Sequence, residues 1–165
     1  MWRLLAVAVL VSGLAGCFKS AVPLIDASNA KFPFKTITMK SADGDTEIVK
    51  RDGDVYKRIE NDKPSDEPLL IYEIAEHLYI VQESPKGGDV TYLFAKRDGD
   101  KIVVRGDCHG IASETLKSLK FDVRDTANGM FLECYTEDLK ALIGLGQSPG
   151  IWSEGTQTLQ ILSLE

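Results

Sequence analysis

The chain has 165 residues, 44% of them hydrophobic and 27% charged, with 25 acids against 19 bases and three cysteines. That length and apolar fraction suit one ordinary domain with a core of its own and exclude a disordered or low-complexity chain. A formal charge of −6 excludes electrostatic nucleic-acid binding, since a phosphate backbone calls for clustered Lys and Arg; no nucleic-acid partner is expected.

Met1, Trp2 and Arg3 lead into an uncharged apolar run over 4–11, followed by the small-residue stretch 12–16. This is the layout of a secretory signal peptide, and the run is too short for the ~20 residues of a spanning helix. The four residues Leu14-Ala15-Gly16-Cys17 resemble the lipobox of bacterial lipoproteins. The resemblance implies that 1–16 is removed, that the Cys17 thiol receives a diacylglycerol, and that the new N-terminus is acylated with a chain such as palmitate. The alternative is an ordinary signal peptide cut elsewhere, leaving a free thiol. Two or three acyl chains give stable anchoring where one is marginal, so the bilayer is the first expected partner. Loss of 1–16 takes away Arg3 and no acid, which moves the charge from −6 to −7. Phe18 stands where an aspartate favours inner-membrane retention in Gram-negative lipoproteins, so the resemblance implies the periplasmic face of the outer membrane.

From 17 to 33 the chain carries two prolines and no period, which reads as a lipidated tether with a reach of about 20 Å. The folded domain is expected over 34–165. Asp43-Gly44, Asp52-Gly53 and Asp98-Gly99 separate β-rich segments and read as two-residue type I′ hairpins. Seven strands are predicted before residue 106, at 36–39, 46–50, 54–60, 69–74, 77–82, 90–96 and 101–105, the first three forming a meander. The pentapeptide Lys50-Arg51-Asp52-Gly53-Asp54 recurs as Lys96-Arg97-Asp98-Gly99-Asp100, which reads as a favourable turn used twice rather than a duplicated unit.

Further on, 112–119 has helical spacing, Asn128-Gly129 joins strands at 121–124 and 130–135, and a last strand is expected at 156–164. A second helix is predicted over 136–143 with Thr136 as N-cap and Gly144 as its stop. The fold class is therefore α+β: mostly antiparallel β meander, as a sandwich or partly open barrel, with two short helices in the C-terminal third.

With Cys17 lipidated, Cys108 and Cys134 remain as a pair. In an oxidising compartment they read as a structural disulfide, whose ~27-residue loop is worth about 3.5 kcal/mol in the chain-entropy model. The competing readings are a redox site, which would favour Cys-x-x-Cys, and a zinc site with His109, which lacks a fourth ligand. No metal or cofactor is expected. His77 and His109 read as turn residues, and Asp43, Asp45 and Glu47 as a solvated hairpin end rather than a calcium loop. Ile151 and Trp152, set among glycines, are either an exposed binding edge or a plug over an open end of the sheet.

The segment Cys134-Tyr135-Thr136-Glu137-Asp138-Leu139 and the late cysteine pair look like those of small proteobacterial lipoproteins of unassigned function. The expectation is a non-enzymatic binding or envelope-assembly module with an unidentified envelope protein as partner. An inhibitor of a periplasmic or secreted lytic enzyme of lysozyme type is the alternative, since a −7 surface steers cationic partners. A hydrolase using unassigned carboxylates ranks third.

Overall fold

The computed structural model describes residues 18–126 and 132–165. In chain order these form β1 (Phe18–Ser20), β2 (Thr36–Lys40), β3 (Thr46–Asp52), β4 (Val55–Glu60), β5 (Lys63–Pro64), β6 (Leu69–Ala75) and β7 (Leu78–Glu83). There follow β8 (Val90–Asp98), β9 (Lys101–Arg105), α1 (Ser113–Ser118), β10 (Asp122–Asp125), β11 (Leu132–Tyr135), α2 (Leu139–Gln147), a 3-10 turn (Pro149–Trp152) and β12 (Gln157–Leu164). The expected turn at Asn128-Gly129 lies outside the described residues.

The expected class holds, mostly antiparallel β with two short helices near the C-terminus, and the sheet closes. Strands β2, β3, β4, β6, β7, β8, β9 and β12 pair in chain order, and β12 returns to β2, giving an eight-stranded up-and-down barrel. Closure leaves these eight strands without a free edge. Outward positions such as Thr38, Lys50, Lys57 and Thr158 are polar, the reverse of a barrel that faces lipid.

The long strand β8 carries the rest of the molecule. Its second half, Phe94 to Asp98, pairs with β9 inside the barrel. Its first three residues, Val90, Thr91 and Tyr92, pair with β1 instead. On its other side β1 pairs in parallel with β11, and β11 pairs with β10, so a second short sheet branches from the barrel wall.

The stretch expected to be a tether is thus part of the domain. Phe18, Ser20 and Ile25 are fully buried. The Gln82 side chain accepts from the amides of Leu24 (2.9 Å) and Ile25 (2.8 Å) and donates to the Ile25 carbonyl (2.9 Å), acting as a short surrogate strand. The Lys31 amide then donates to the Ile71 carbonyl (2.7 Å), and Phe34 is held by the Tyr56 hydroxyl. Lack of period did not mean lack of structure here, because side chains of the barrel supply the partners that a regular ladder would.

Two hairpins differ by one residue from expectation. Asp52 pairs with Val55 and Asp98 with Lys101, so the loops are Gly53-Asp54 and Gly99-Asp100, with glycine φ of 63° and 60°. This is the type II′ pattern, in which only the first loop residue needs positive φ, so neither aspartate is forced into the left-handed region. The 41–45 connection is a longer loop, because the ladder resumes at Lys40 opposite Thr46. A turn with two positive-φ residues does occur, at Asn61 (50°) and Asp62 (62°) between β4 and β5.

Helix α2 begins after Asp138, whose side chain accepts from the Lys140 amide (2.9 Å); Asp138, not Thr136, is the cap. Nor does Gly144 end it. A side chain there would lie 2.9 Å from Leu119 Cδ2, so this glycine serves close packing.

The outer faces of β6, β7 and β8 are covered by α2, β1 and the cysteine-bearing segments. That gives an outer core of Phe18, Ile80, Tyr92, Phe94, Leu142 and Leu145, among others, separate from the core inside the barrel. Cys108 and Cys134 are bridged within this outer core, with Cα atoms 6.4 Å apart. The bond ties the exit of β9 to β11, so the branch sheet is fastened to the barrel at both ends.

Candidate functional site

Alternation along each strand decides what faces the barrel interior. Ile37 and Met39 point inward from β2, Val49 from β3, Tyr56 from β4, and Leu69 and Ile71 from β6, all nearly removed from solvent. The facing wall mixes the shorter Val81, Ala95 and Val104 with Leu93, Ile102 and Leu159. An eight-stranded barrel is just wide enough either to be filled by side chains or to hold one small ligand. These side chains do not fill it, and a cavity of about 270 Å³ runs through the lumen.

An ion-pair cluster stands at one end of this lumen. The Arg58 guanidinium donates to Glu47 through Nε (3.0 Å) and to both carboxylate oxygens of Glu83 through Nη1 and Nη2. Its side chain is 14% exposed, so burial opposes the charge, but the two carboxylates outweigh that penalty and hold the guanidinium above its ordinary value. Glu67 next to this group is pushed up, first by burial and then by the charge of Glu83.

The other end opens between the β6–β7 turn and the end of β8, where Glu73, Glu76, His77, Tyr79 and Arg97 line the cavity. His77 takes a φ of 64° in the turn, as its position between two strands predicts. The Tyr79 phenol is pushed up by burial and secondarily by the negative charge of Glu73, with Arg97 opposing. The rim is therefore polar and mixed in sign above an apolar shaft, the layout of a site that grips a body by burial and orients it by a few polar groups.

The residues singled out from sequence lie elsewhere. Cys17 is outside the described residues. Cys108 and Cys134 form the disulfide of the outer core. Ile151 is fully buried in that core, and the Trp152 indole donates to the Gly146 carbonyl (3.0 Å), so the pair is not an exposed binding edge; nor does either residue line the lumen. The aromatic loop packs beside α2 because Arg105 pulls it inward through the Ile151 carbonyl (3.1 Å). Of the acidic trio, Glu47 turns into the lumen to meet Arg58. No group of three or more His, Cys, Asp or Glu side chains suited to a metal is found among the described residues.

Sequence reasoning missed the lumen itself. The signal that could have found it is apolar character on both faces of 69–72, 79–81 and 93–95, which asks for a core on each side of the sheet. Comparison with known proteins finds no matching family model, curated protein or solved structure.

Proposed function

We propose that this chain is a lipid-anchored protein of the bacterial cell envelope whose barrel is a non-catalytic binding module for a small apolar molecule. The lumen carries the reading: an apolar shaft of about 270 Å³, with Arg58 and its carboxylates at one end and a rim of polar groups at the other. Such space inside a folded core sacrifices packing energy, and a ligand that fills it restores that energy. Support for the anchor is the lipobox-like Leu14-Ala15-Gly16-Cys17, followed at once by β1. With Phe18 already in the sheet, an acylated Cys17 would hold the barrel against the membrane with no slack between them.

Two measurements test the two halves. Cys17→Ser is expected to move the protein from the membrane to the soluble fraction and to abolish labelling by a palmitate analogue; unchanged fractionation and labelling refute the anchor. For the lumen, a fluorescent apolar dye such as N-phenyl-1-naphthylamine is expected to bind with micromolar affinity and to be lost in Ala95→Phe and in Val49→Phe, which fill the shaft from opposite walls. Dye binding that survives both substitutions in folded protein refutes the lumen as the site.

A further inference from the structure

The shape and rim of the lumen narrow the class of ligand, granted that the lumen is the binding site. From the level of Leu69 to that of Glu73, both on its wall, the shaft follows four residues of β6, about 14 Å along the strand and roughly 10 Å along the axis at the usual tilt of a barrel strand. A volume of about 270 Å³ over that length makes the shaft longer than it is wide, a shape that suits a chain laid along it. An apolar cavity of about 150 Å³ takes one benzene, so 270 Å³ is room for roughly ten carbons.

The repeated pentapeptide supplies the polar end. Its two copies fold identically, each arginine donating from Nε to the carbonyl of the turn glycine: Arg51 to Gly53 (2.8 Å) and Arg97 to Gly99 (3.1 Å). Their guanidinium faces differ. Arg51 is stacked on the Phe32 ring, 4.0 Å from its centroid. Arg97 lines the mouth of the lumen, and its Nη atoms have no partner among the described residues. At the opposite end Arg58 is already engaged by two carboxylates. Tyr79 also reaches the mouth, and its hydroxyl makes no hydrogen bond among the described residues. A guanidinium with open donors beside an open hydroxyl suits a carboxylate.

We infer that the lumen takes one unbranched acyl chain of about ten carbons, tail inward, with its carboxylate held at the mouth by Arg97 and the Tyr79 hydroxyl. Glu73 and Glu76 stand on the same rim and oppose an anion, so discrimination for the carboxylate depends on Arg97.

The test is competition against the bound dye in the Cys17→Ser chain, which keeps every residue of the barrel and carries no acyl group of its own. Among fatty acids, affinity is expected to rise about fourfold per added methylene and to level off near ten carbons. Decanoate is expected to bind about tenfold more tightly than decanol, and more tightly still than decyltrimethylammonium. Arg97→Gln should bring decanoate and decanol to equal affinity, Arg97→Lys should keep part of the difference, and Arg51→Gln, at the equivalent turn, should change nothing. If decanol or the cation matches decanoate, or if Arg97→Gln leaves the ratio intact, the headgroup assignment falls while the lumen reading stands. If dye binds but no decyl compound displaces it, the acyl-chain assignment falls. Absence of dye binding altogether overturns the lumen reading itself.

Discussion

A methyl group at Gly146 would lie 2.6 Å from Ile74 Cδ1 and 3.0 Å from Phe94 Cδ1, closer than carbon atoms approach. Helix propensity alone favours alanine over glycine by about 1 kcal/mol, but overpacking a fixed interface costs about 1–3 kcal/mol. Because Phe94 belongs to the barrel wall and cannot retreat, packing decides the sign. Gly146→Ala is expected to lower the urea midpoint, and a stabilised variant would show that α2 moves freely on the sheet. Arg105 poses the opposite case, a large charged side chain in the core, 1% exposed. Its guanidinium donates to the carbonyls of Asp107 (2.9 Å), Ile151 (3.1 Å) and His109, with the Asp107 carboxylate at 3.5 Å. It therefore joins the segment before the disulfide to the 3-10 turn, which is why Ile151 and Trp152 pack inward. Arg105→Ala strands three carbonyls and is expected to cost about 3 kcal/mol, read by urea denaturation, with Arg105→Lys recovering only part because an ammonium lacks the fork.

Strand β1 and the Cys108–Cys134 bridge act on the same branch sheet, and they test how far it is separable from the barrel. Phe18 packs edge-on against Phe94 at 5.1 Å and near Phe121 at 6.2 Å. Phe18→Ala should therefore cost about 3–5 kcal/mol, a large share of an ordinary domain's stability, whereas a true tether residue would cost nothing. The Cys108→Ser, Cys134→Ser double variant is expected to lose about 2–4 kcal/mol while keeping the barrel, since neither cysteine belongs to its wall. These elements also show where sequence was readable. All seven strands expected before residue 106 exist, because alternation and Asp-Gly turns are local signals. The cysteine pair was readable because two cysteines without Cys-x-x-Cys spacing or a full set of metal ligands have few fates other than a structural bridge. Strand β1 was not, since three residues between two distant strands have no period to detect. The lumen was not, because it exists only once β12 closes on β2, and Arg58, Arg97 and Tyr79 come to line one cavity from separate strands.

The inner and outer cores share β6, β7 and β8, whose two faces serve one core each, so the molecule should unfold as one unit. Three tyrosines report on this from different places. Tyr56 sits in the inner core, Tyr92 in the outer core, and Tyr79 at the mouth, and burial is the main cause that raises each phenol above its ordinary value near 10. A raised value means that the folded state favours the neutral phenol, while the unfolded chain ionises near pH 10. The stability held in these groups is therefore complete below about pH 10 and is lost as pH climbs toward the folded values. The urea midpoint is expected to be insensitive to tyrosine between about pH 7 and 9 and to fall steeply above about pH 10. Tyr135 is also raised, by its hydrogen bond to Asp89 and then by burial, but it sits on the branch sheet outside both cores. If the cores are coupled through the shared strands, phenolate absorbance from Tyr56 and Tyr92 appears together with the loss of near-ultraviolet dichroism, in one transition, and Tyr56→Phe and Tyr92→Phe each shift that single transition upward in pH. Separate transitions, one moved by each substitution, would show instead that barrel and branch melt independently, and that the disulfide rather than the shared strands holds them together.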